Sequence, residues 1–213
     1  LGFAASVHNT NFGGKALAED LPLLVSTLAD CLLHPTFPEM YMERLKAQII
    51  SGLTVRAQDT IEMSALTFDH LLFNEHPYGR PEDGTIETIQ NISRQHLVEF
   101  HHNHYGPDSL VIVIVGAVSA QAVFDLVEKE LGHWQNPQLA PSPSLPDILP
   151  PSATIRQHVT IPGKSQTNLV MGTLGPRRNA PEYLSATLGN NILGQFGMMG
   201  RIGDSVREKA GLA

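Results

Sequence analysis

The chain has 213 residues, of which 42% are apolar and 16% charged, a composition typical of soluble globular proteins with room for one large or two small domains. A net charge of −7 argues against nucleic acid as the main partner, and the longest apolar run, residues 110–116, is too short to cross a membrane. The first residues lack the features of a signal peptide. Because the chain does not begin with Met and stops at REKAGLA without a terminating signal, we expect a fragment or processed piece of a longer protein.

The first part of the chain predicts an extended N-terminus followed by amphipathic helices. Residues 1–12 alternate partly between apolar and polar side chains, which favours extended structure. Apolar side chains at helical spacing predict five helices, at 19–35, 36–53, 61–73, 93–105 and 119–132. Side chains suited to capping precede four of them: Thr36 with Glu39, Asp59 with Glu62, Ser93, and Ser119.

Three further segments predict strands, and one predicts a helix. The apolar run SLVIVIVG at 109–116 predicts a buried strand. Residues 154–161 and 166–175 read as two more strands, and residues 180–194 as a helix.

Six prolines between residues 135 and 151 predict a stiff, extended linker. The sequence therefore predicts an α+β protein. Its predicted parts are a larger domain at 1–135, a linker at 136–153 and a shorter, truncated domain at 154–213.

The single cysteine, Cys31, lies in the apolar run LADCLL and cannot form an internal disulfide. This setting predicts a buried packing role rather than a nucleophile. One cysteine fits a reducing compartment and equally a disulfide-free periplasmic protein. The expected protein is soluble, and its compartment stays open between cytoplasm and periplasm.

The stretch HLLFNEHPYGRP at 70–81 contains two histidines and a glutamate, as in a zinc-peptidase motif. The spacing does not fit, however, because His70 and His76 are six residues apart and about 120° apart around a helix. Pro77 also disfavours helical geometry at His76. We therefore predict a structural loop here, in which Pro77 and Pro81 add stiffness and Gly79 permits an unusual backbone angle.

A second group of histidines lies between residues 96 and 104, where His101 and His104 share a helix face. Zinc requires a third protein ligand, and no nearby side chain supplies one convincingly. The sequence also lacks a Walker motif, a GxSxG elbow and a GxGxxG behind a strand. The glycines at 194, 197, 200 and 203 follow a predicted helix, which favours a flexible or close-packed loop over phosphate binding.

Several segments together carry a family resemblance. Five segments follow one another in this order: LADCLLHPTFPEMYMERLKAQI, HPYGRPEDGT, YGPDSLVIVIVG, a proline-rich link and REKAGLA. In this order they closely resemble the M16 zinc metallopeptidases, of the pitrilysin, insulinase and mitochondrial processing peptidase type. The resemblance extends over nearly the whole chain. It implies two related αβ units of the LuxS/MPP-like metallohydrolase type, each with an antiparallel sheet packed against helices, the second truncated.

The same resemblance implies that this copy is non-catalytic. In catalytic members the HxxEH motif lies upstream of the segment that matches Leu1. Their third zinc ligand is a glutamate, and counting from Glu43 and Arg44 places the corresponding position of this chain at Gly52. Glycine offers no metal ligand, and Glu62 lies ten residues further along. We expect no metal and no cofactor in this chain, with zinc in a catalytic partner or half.

Inactive halves of this family carry an arginine and a tyrosine, seven residues apart, that help hold substrate near the metal. The sequence VREKAGLA places Arg207 at the arginine position, and the tyrosine would follow Ala213. The resemblance therefore implies that Arg207 binds peptide substrate by donating hydrogen bonds to a carbonyl. The alternative role for Arg207 is a surface ion pair with a nearby acid.

Three readings of function remain open. The first is an inactive half that binds peptide and completes a chamber with a zinc-bearing partner. The second is a fragment of an active zinc metalloendopeptidase with HxxEH upstream, and the third is a non-proteolytic assembly subunit. Because missing strands leave sheet edges unpaired, self-association is also expected.

Overall fold

The computed structural model describes residues 1–195 and 200–212, and the chain divides into two compact units. Unit 1 comprises Leu1–Asp147 and His158–Asn168, and unit 2 comprises Ile148–Gln157 and Leu169–Ala213. The domain limits at 135, 153 and 154 refer to homologous units and stay a prediction.

Unit 1 opens with an antiparallel hairpin of two strands, β1 (Gly2–Ala5) and β2 (Thr10–Gly13). Its turn is closed by the Ser6 hydroxyl, which donates to the Asn9 side-chain oxygen over 2.6 Å. The predicted extended N-terminus is thus present as a hairpin.

Six helices follow the hairpin within unit 1. They are α1 (Leu21–Leu33), α2 (Glu39–Arg56), α3 (Thr60–Phe73), α4 (Ile86–Asn91), α5 (Arg94–His104) and α6 (Ala120–Leu131). The five helices predicted for this region are all present. The short helix α4 was not predicted from the sequence.

The core of unit 1 is centred on α1. Its buried side chains recur at helical spacing, at Val25, Leu28, Ala29 and Leu32, and form one apolar stripe. Helix α1 packs against α6, and α2 packs against α4. Each of these neighbours contributes one further buried apolar side chain, namely Leu53, Ile89 and Leu131.

The structure confirms three of the four predicted helix caps. The Asp59 carboxylate accepts from the backbone of α3, while Ser93 and Ser119 accept from the first turns of α5 and α6. The predicted cap at Thr36 is wrong, because Pro38 takes the cap position of α2 without a side-chain bond. The Thr36 and Phe37 carbonyls instead accept from the Arg94 guanidinium, at 3.0 and 3.1 Å, which holds the loop between α1 and α2.

The predicted strands at 109–116, 154–161 and 166–175 do not form in the described part of the chain. In the first of them, Leu110, Ile112 and Ile114 are half-buried, whereas Val111, Val113 and Val115 are exposed. The alternation of a strand is therefore present, but no neighbouring strand pairs with the backbone there. Extended chain without such a partner is not a strand, whatever its side-chain pattern.

The prediction that Cys31 is buried is also wrong. Cys31 is exposed on α1, while the flanking residues Ala29 and Leu32 are buried. The apolar run LADCLL is longer than the stripe that the helix buries, so one of its members faces outward.

Unit 2 contains α7 (Tyr183–Asn190) and a π-helical turn at Asn191–Gln195. After residues 196–199, which lie outside the described part, the short α8 (Arg201–Gly203) continues into a π-helical segment at Asp204–Lys209. The predicted helix at 180–194 is therefore present in large part. Among the described residues, no helix is long and apolar enough to cross a membrane.

Candidate functional site

Arg207 lies in the π-helical segment Asp204–Lys209, and the end of this segment is closed by a defined cap. The Gly211 amide donates to the Arg207 carbonyl, and the Leu212 amide donates to the Val206 carbonyl, both over 3.0 Å. The first of these bonds joins the residue after the helix cap to the carbonyl four residues earlier, as in an αL capping motif, which requires a left-handed residue at that position. Gly211 supplies it with φ of 62°, so the GL of REKAGLA holds the end of the helix that carries Arg207.

The Arg207 side chain is exposed. Within residues 1–195 and 200–212, no acidic side chain forms an ion pair with it, and the nearby Asp204 carboxylate instead accepts from Lys209. A guanidinium in this state keeps its planar set of donors available for a carbonyl or carboxylate. The substrate-binding role of Arg207 stays a prediction.

The predicted glycine loop at 194–203 is described only at its two ends, because residues 196–199 lie outside the described part. At those ends the backbone approaches itself closely: a Cβ on Gly200 would lie 2.6 Å from the Gly194 Cα. A Cβ on Gly194 would lie 3.1 Å from the Ile202 side chain. Close packing therefore accounts for glycine at both positions, immediately before the segment that carries Arg207.

Gly52, the position that the family resemblance implies for the third zinc ligand, lies on the exposed face of α2 next to the buried Leu53. An added Cβ would have no heavy atom within 4 Å. The space would accept a larger residue, but glycine itself supplies no ligand atom. The donor set at this position therefore does not fit a zinc centre.

We expect Gly52→Ala to raise the stability of unit 1 by about 0.5–1 kcal/mol, because alanine loses less backbone entropy in a helix and meets open space here. Thermal unfolding followed by circular dichroism should show a Tm higher by about 1–4 °C. A lower Tm would indicate that the α2 surface at Gly52 is covered in solution.

Two of the histidines considered above as metal ligands, His76 and His101, contact other groups of unit 1 in structural roles. His76 is buried, and its Nδ1 accepts from the Tyr78 amide over 3.1 Å. His101 Nε2 lies 2.8 Å from the Leu32 carbonyl, and its ring stacks on Tyr105. Among the described residues, no group of three His, Cys, Asp or Glu side chains could hold a metal.

The HPYGRP loop forms a 3₁₀ turn at Pro77–Gly79 that packs against the end of α3. The unusual backbone angle predicted for Gly79 is wrong, because its φ does not lie in the left-handed region. Glycine is needed here for close approach: a Cβ would lie 2.6 Å from the Asn74 carbonyl oxygen. The loop is anchored further by the Tyr78 hydroxyl, which lies 3.0 Å from His8 Nε2 on the hairpin.

Burial raises the pKa of the Asp69 carboxyl on α3 above its ordinary value of 3.8. The charged form is thus penalised in the folded state, so Asp69 favours folding most at acidic pH, and this contribution is lost as pH rises through the raised pKa. We expect Asp69→Asn to be more stable than the wild type at pH 7 and nearly equal to it at pH 3. Tm values at both pH values check this, with exposed Asp30→Asn as the control.

Two clefts in unit 1 were not indicated by the sequence. One, of about 320 Å³, lies between the start of α3 and residues 163–168, where the Asn168 amide donates to the Thr60 hydroxyl. The other, of about 240 Å³, lies between the end of α5 and residues 134–138. No sequence motif predicts either cleft, because each is formed by segments that are distant along the chain.

The fold and the site define an α+β chain whose second unit presents an exposed arginine on a capped helical segment. Residues 91–213, more than half of the chain, match the family model described as the peptidase M16 inactive domain. The chain belongs to this family.

Curated relatives agree with this assignment. The chain is 26% identical to an uncharacterized zinc protease of Mycobacterium leprae, with 99% of the chain and 47% of that protein covered. It is 28% identical to the mitochondrial-processing peptidase subunit beta of Neurospora crassa, with 90% of the chain and 40% of that protein covered. The chain therefore spans about half the length of the curated relatives it matches.

A solved structure supports the fold. The crystal structure of a peptidase M16 inactive domain from Pseudomonas fluorescens superposes with a TM-score of 0.70 at 24% identity, and it covers 91% of this chain and 46% of that one. The α+β fold predicted from the sequence is confirmed by this match.

Proposed function

We propose that this chain is a non-catalytic half of an M16-type peptidase, which binds peptide substrate and completes a chamber with a zinc-bearing M16 partner. The description of the matching family as an inactive domain supports this proposal. So does Gly52, which has no ligand atom at the position that the family resemblance implies for the third zinc ligand. In this proposal zinc is held by the partner, and this chain contributes to substrate binding only.

The observation that carries the proposal is the state of Arg207, exposed and without an acidic partner among the described residues. Its guanidinium would donate hydrogen bonds to a substrate carbonyl and offset negative charge that develops on that oxygen. The Gly211 cap restricts the backbone on the C-terminal side of Arg207. This restriction lowers the entropy lost when the arginine binds.

Zinc content and peptide cleavage together test the proposal. The chain is purified without a His tag, because its histidine-rich α5 could bind nickel resin. Its zinc content and its cleavage of a quenched peptide are then measured alone and with each HxxEH-containing M16 chain of the same genome. We expect no zinc in this chain, and cleavage that increases only when a zinc-bearing partner is added.

A second candidate, favoured by the zinc protease name of the Mycobacterium leprae relative, is a fragment of an active zinc metalloendopeptidase. Zinc near one equivalent and cleavage without any partner, measured on the full-length protein, would support this candidate over the first. No increase in cleavage with any partner, together with stable complex formation, would instead favour a non-proteolytic assembly subunit.

A further inference from the structure

Tyr78 in the HPYGRP turn is held on two sides by histidines. Its backbone amide donates to Nδ1 of His76 over 3.1 Å, and its hydroxyl lies 3.0 Å from Nε2 of His8 on the hairpin. The Tyr78 ring also meets the rings of Phe73, His76 and His8 edge-on, at centroid distances of 5.7, 4.6 and 5.6 Å. These four residues, here called the tyrosine latch, therefore join the end of α3, the turn and the hairpin.

The bond between Tyr78 and His76 fixes the protonation state of the His76 ring. A ring nitrogen that accepts from an amide carries no proton, so this ring is neutral and its proton is on Nε2. A second proton, on Nδ1, would turn the acceptor into a donor and set two N–H groups against each other. His76 is 6% exposed, so water has little access to replace the lost bond. The bond therefore exists only while the ring is neutral.

Other histidine bonds of unit 1 tolerate a second proton. At His8 the partner is the Tyr78 hydroxyl, which can donate or accept, so the bond can reverse its direction when the ring becomes charged. His101 donates to a main-chain carbonyl 2.8 Å from its Nε2, and a second proton on Nδ1 leaves this bond in place. His96 accepts from a main-chain amide over 3.3 Å, but it is exposed and water can replace that bond. Protonation thus has its largest structural effect at His76.

Among the residues that the structure describes, no acidic side chain is bonded to His76. The titratable groups on the elements around it are a carboxyl and a histidine near the end of α3, two charged residues of the turn and one histidine of the hairpin: Asp69, His70, Glu75, Arg80 and His8. None of them forms a hydrogen bond or an ion pair with the His76 ring. A positive charge on this buried ring would therefore have no bonded counter-charge.

We propose that the tyrosine latch is a pH-sensitive switch, which is closed at neutral pH and released at acidic pH by protonation of His76. Histidine side chains in general change charge between about pH 5 and 8. On release, the Tyr78 amide loses its acceptor, and the turn loses its hold on the end of α3 and on the hairpin. The unfolded chain can bind this proton without losing a bond, so the contribution of the closed latch to folding is present at neutral pH and is lost as the pH falls.

Hydrogen exchange at single amides, followed by NMR, tests the switch. The protection factor of the Tyr78 amide, corrected for the direct effect of pH on exchange, should be about tenfold lower at about pH 5 than at about pH 7.5, the size of effect expected when one hydrogen bond is lost. The control is the Ala122 amide at the start of α6, which donates to the Ser119 hydroxyl over 3.3 Å and should keep its protection. An unchanged value at Tyr78, or an equal fall at both amides, would overturn the proposal.

His76→Asn is the matched variant, because an asparagine oxygen at this cap position accepts from the same amide and does not titrate. Protection at Tyr78 should then be equal at the two pH values. His76→Ala, which has no acceptor, should leave this amide unprotected at both. Asp69→Asn should retain the pH dependence of the wild type, because its carboxyl has no bond to His76. A tenfold fall that persists in His76→Asn would contradict the role given to His76.

The ring nitrogens of His76 give a second measurement, made on the wild type, which does not depend on the folding of any variant. Their NMR signals should show the neutral ring protonated on Nε2 at neutral pH. A second proton should appear on Nδ1 over the same pH range in which the Tyr78 amide loses its protection. Loss of protection without this change at Nδ1 would assign the effect to another group. Neither measurement follows cleavage, so the result is independent of the proposed peptidase function.

Discussion

Replacing Arg207 with alanine is expected to lower kcat/KM of the mixture of this chain with its zinc-bearing partner by about 100-fold. Removing one donor that stabilises a developing oxyanion has effects of this size in other hydrolases. Arg207→Lys keeps the charge but loses the planar set of donors, so it should recover only part of the activity. The measurement is peptide cleavage at saturating partner, with the zinc content of the partner held constant.

Arg201→Ala is the matched control for this experiment. Arg201 is an exposed arginine at the start of α8, six residues before Arg207, and it has no assigned role at the site. Its replacement should change activity by less than twofold, and neither variant should shift Tm appreciably. Equal losses of activity for the two variants would indicate a general effect of surface charge and would remove Arg207 from the proposed site.

Gly79→Ala is expected to destabilise unit 1 by about 2–3 kcal/mol, the upper part of the range of about 1–3 kcal/mol found when extra atoms are forced into a packed core. The new Cβ would lie 2.6 Å from the Asn74 carbonyl oxygen, which is a backbone atom and cannot move aside as a side chain can. Asn74 already has φ of 46°, so the end of α3 has little freedom to adjust. Thermal unfolding should show a Tm lower by roughly 4–12 °C.

Gly52→Ala provides the comparison for Gly79→Ala, because it makes the same chemical change on an open helix surface. The two variants should shift Tm in opposite directions. A shift of the same sign and size would show that the loss of glycine flexibility in the unfolded chain, and not the contact with Asn74, governs both. An unchanged Tm for Gly79→Ala would mean that the HPYGRP turn does not pack against α3 in solution.

The sequence predicted the helices of unit 1 well because their signals are local. The apolar stripe of α1 and the caps at Asp59, Ser93 and Ser119 each depend on residues within a few positions of one another. The cap predicted at Thr36 failed because Pro38 takes the cap position of α2, and the Thr36 carbonyl is held in a loop by Arg94, 58 residues away. A distant donor of this kind leaves no signal in the local sequence.

The strand predicted at residues 109–116 shows the difference between strand propensity and strand pairing. The alternation of residues 110–116 was read correctly as the pattern of a strand, and the alternation of exposure in the structure follows it. Whether a strand forms depends on a neighbour that supplies hydrogen bonds, and the segment itself does not specify that neighbour. The same reason applies to residues 154–161 and 166–175.

For the candidate site, the sequence by itself determined which residue types are present: an arginine at 207, a glycine at 52 and no motif for a metal in this chain. The state of Arg207 was decided by local structure: Lys209 pairs with Asp204, so Arg207 has no acidic partner among the described residues, and Gly211 ends the helix that carries it. The requirement for glycine at position 79 was decided by packing, because a Cβ there would meet the Asn74 carbonyl oxygen, and only folding brings those atoms together.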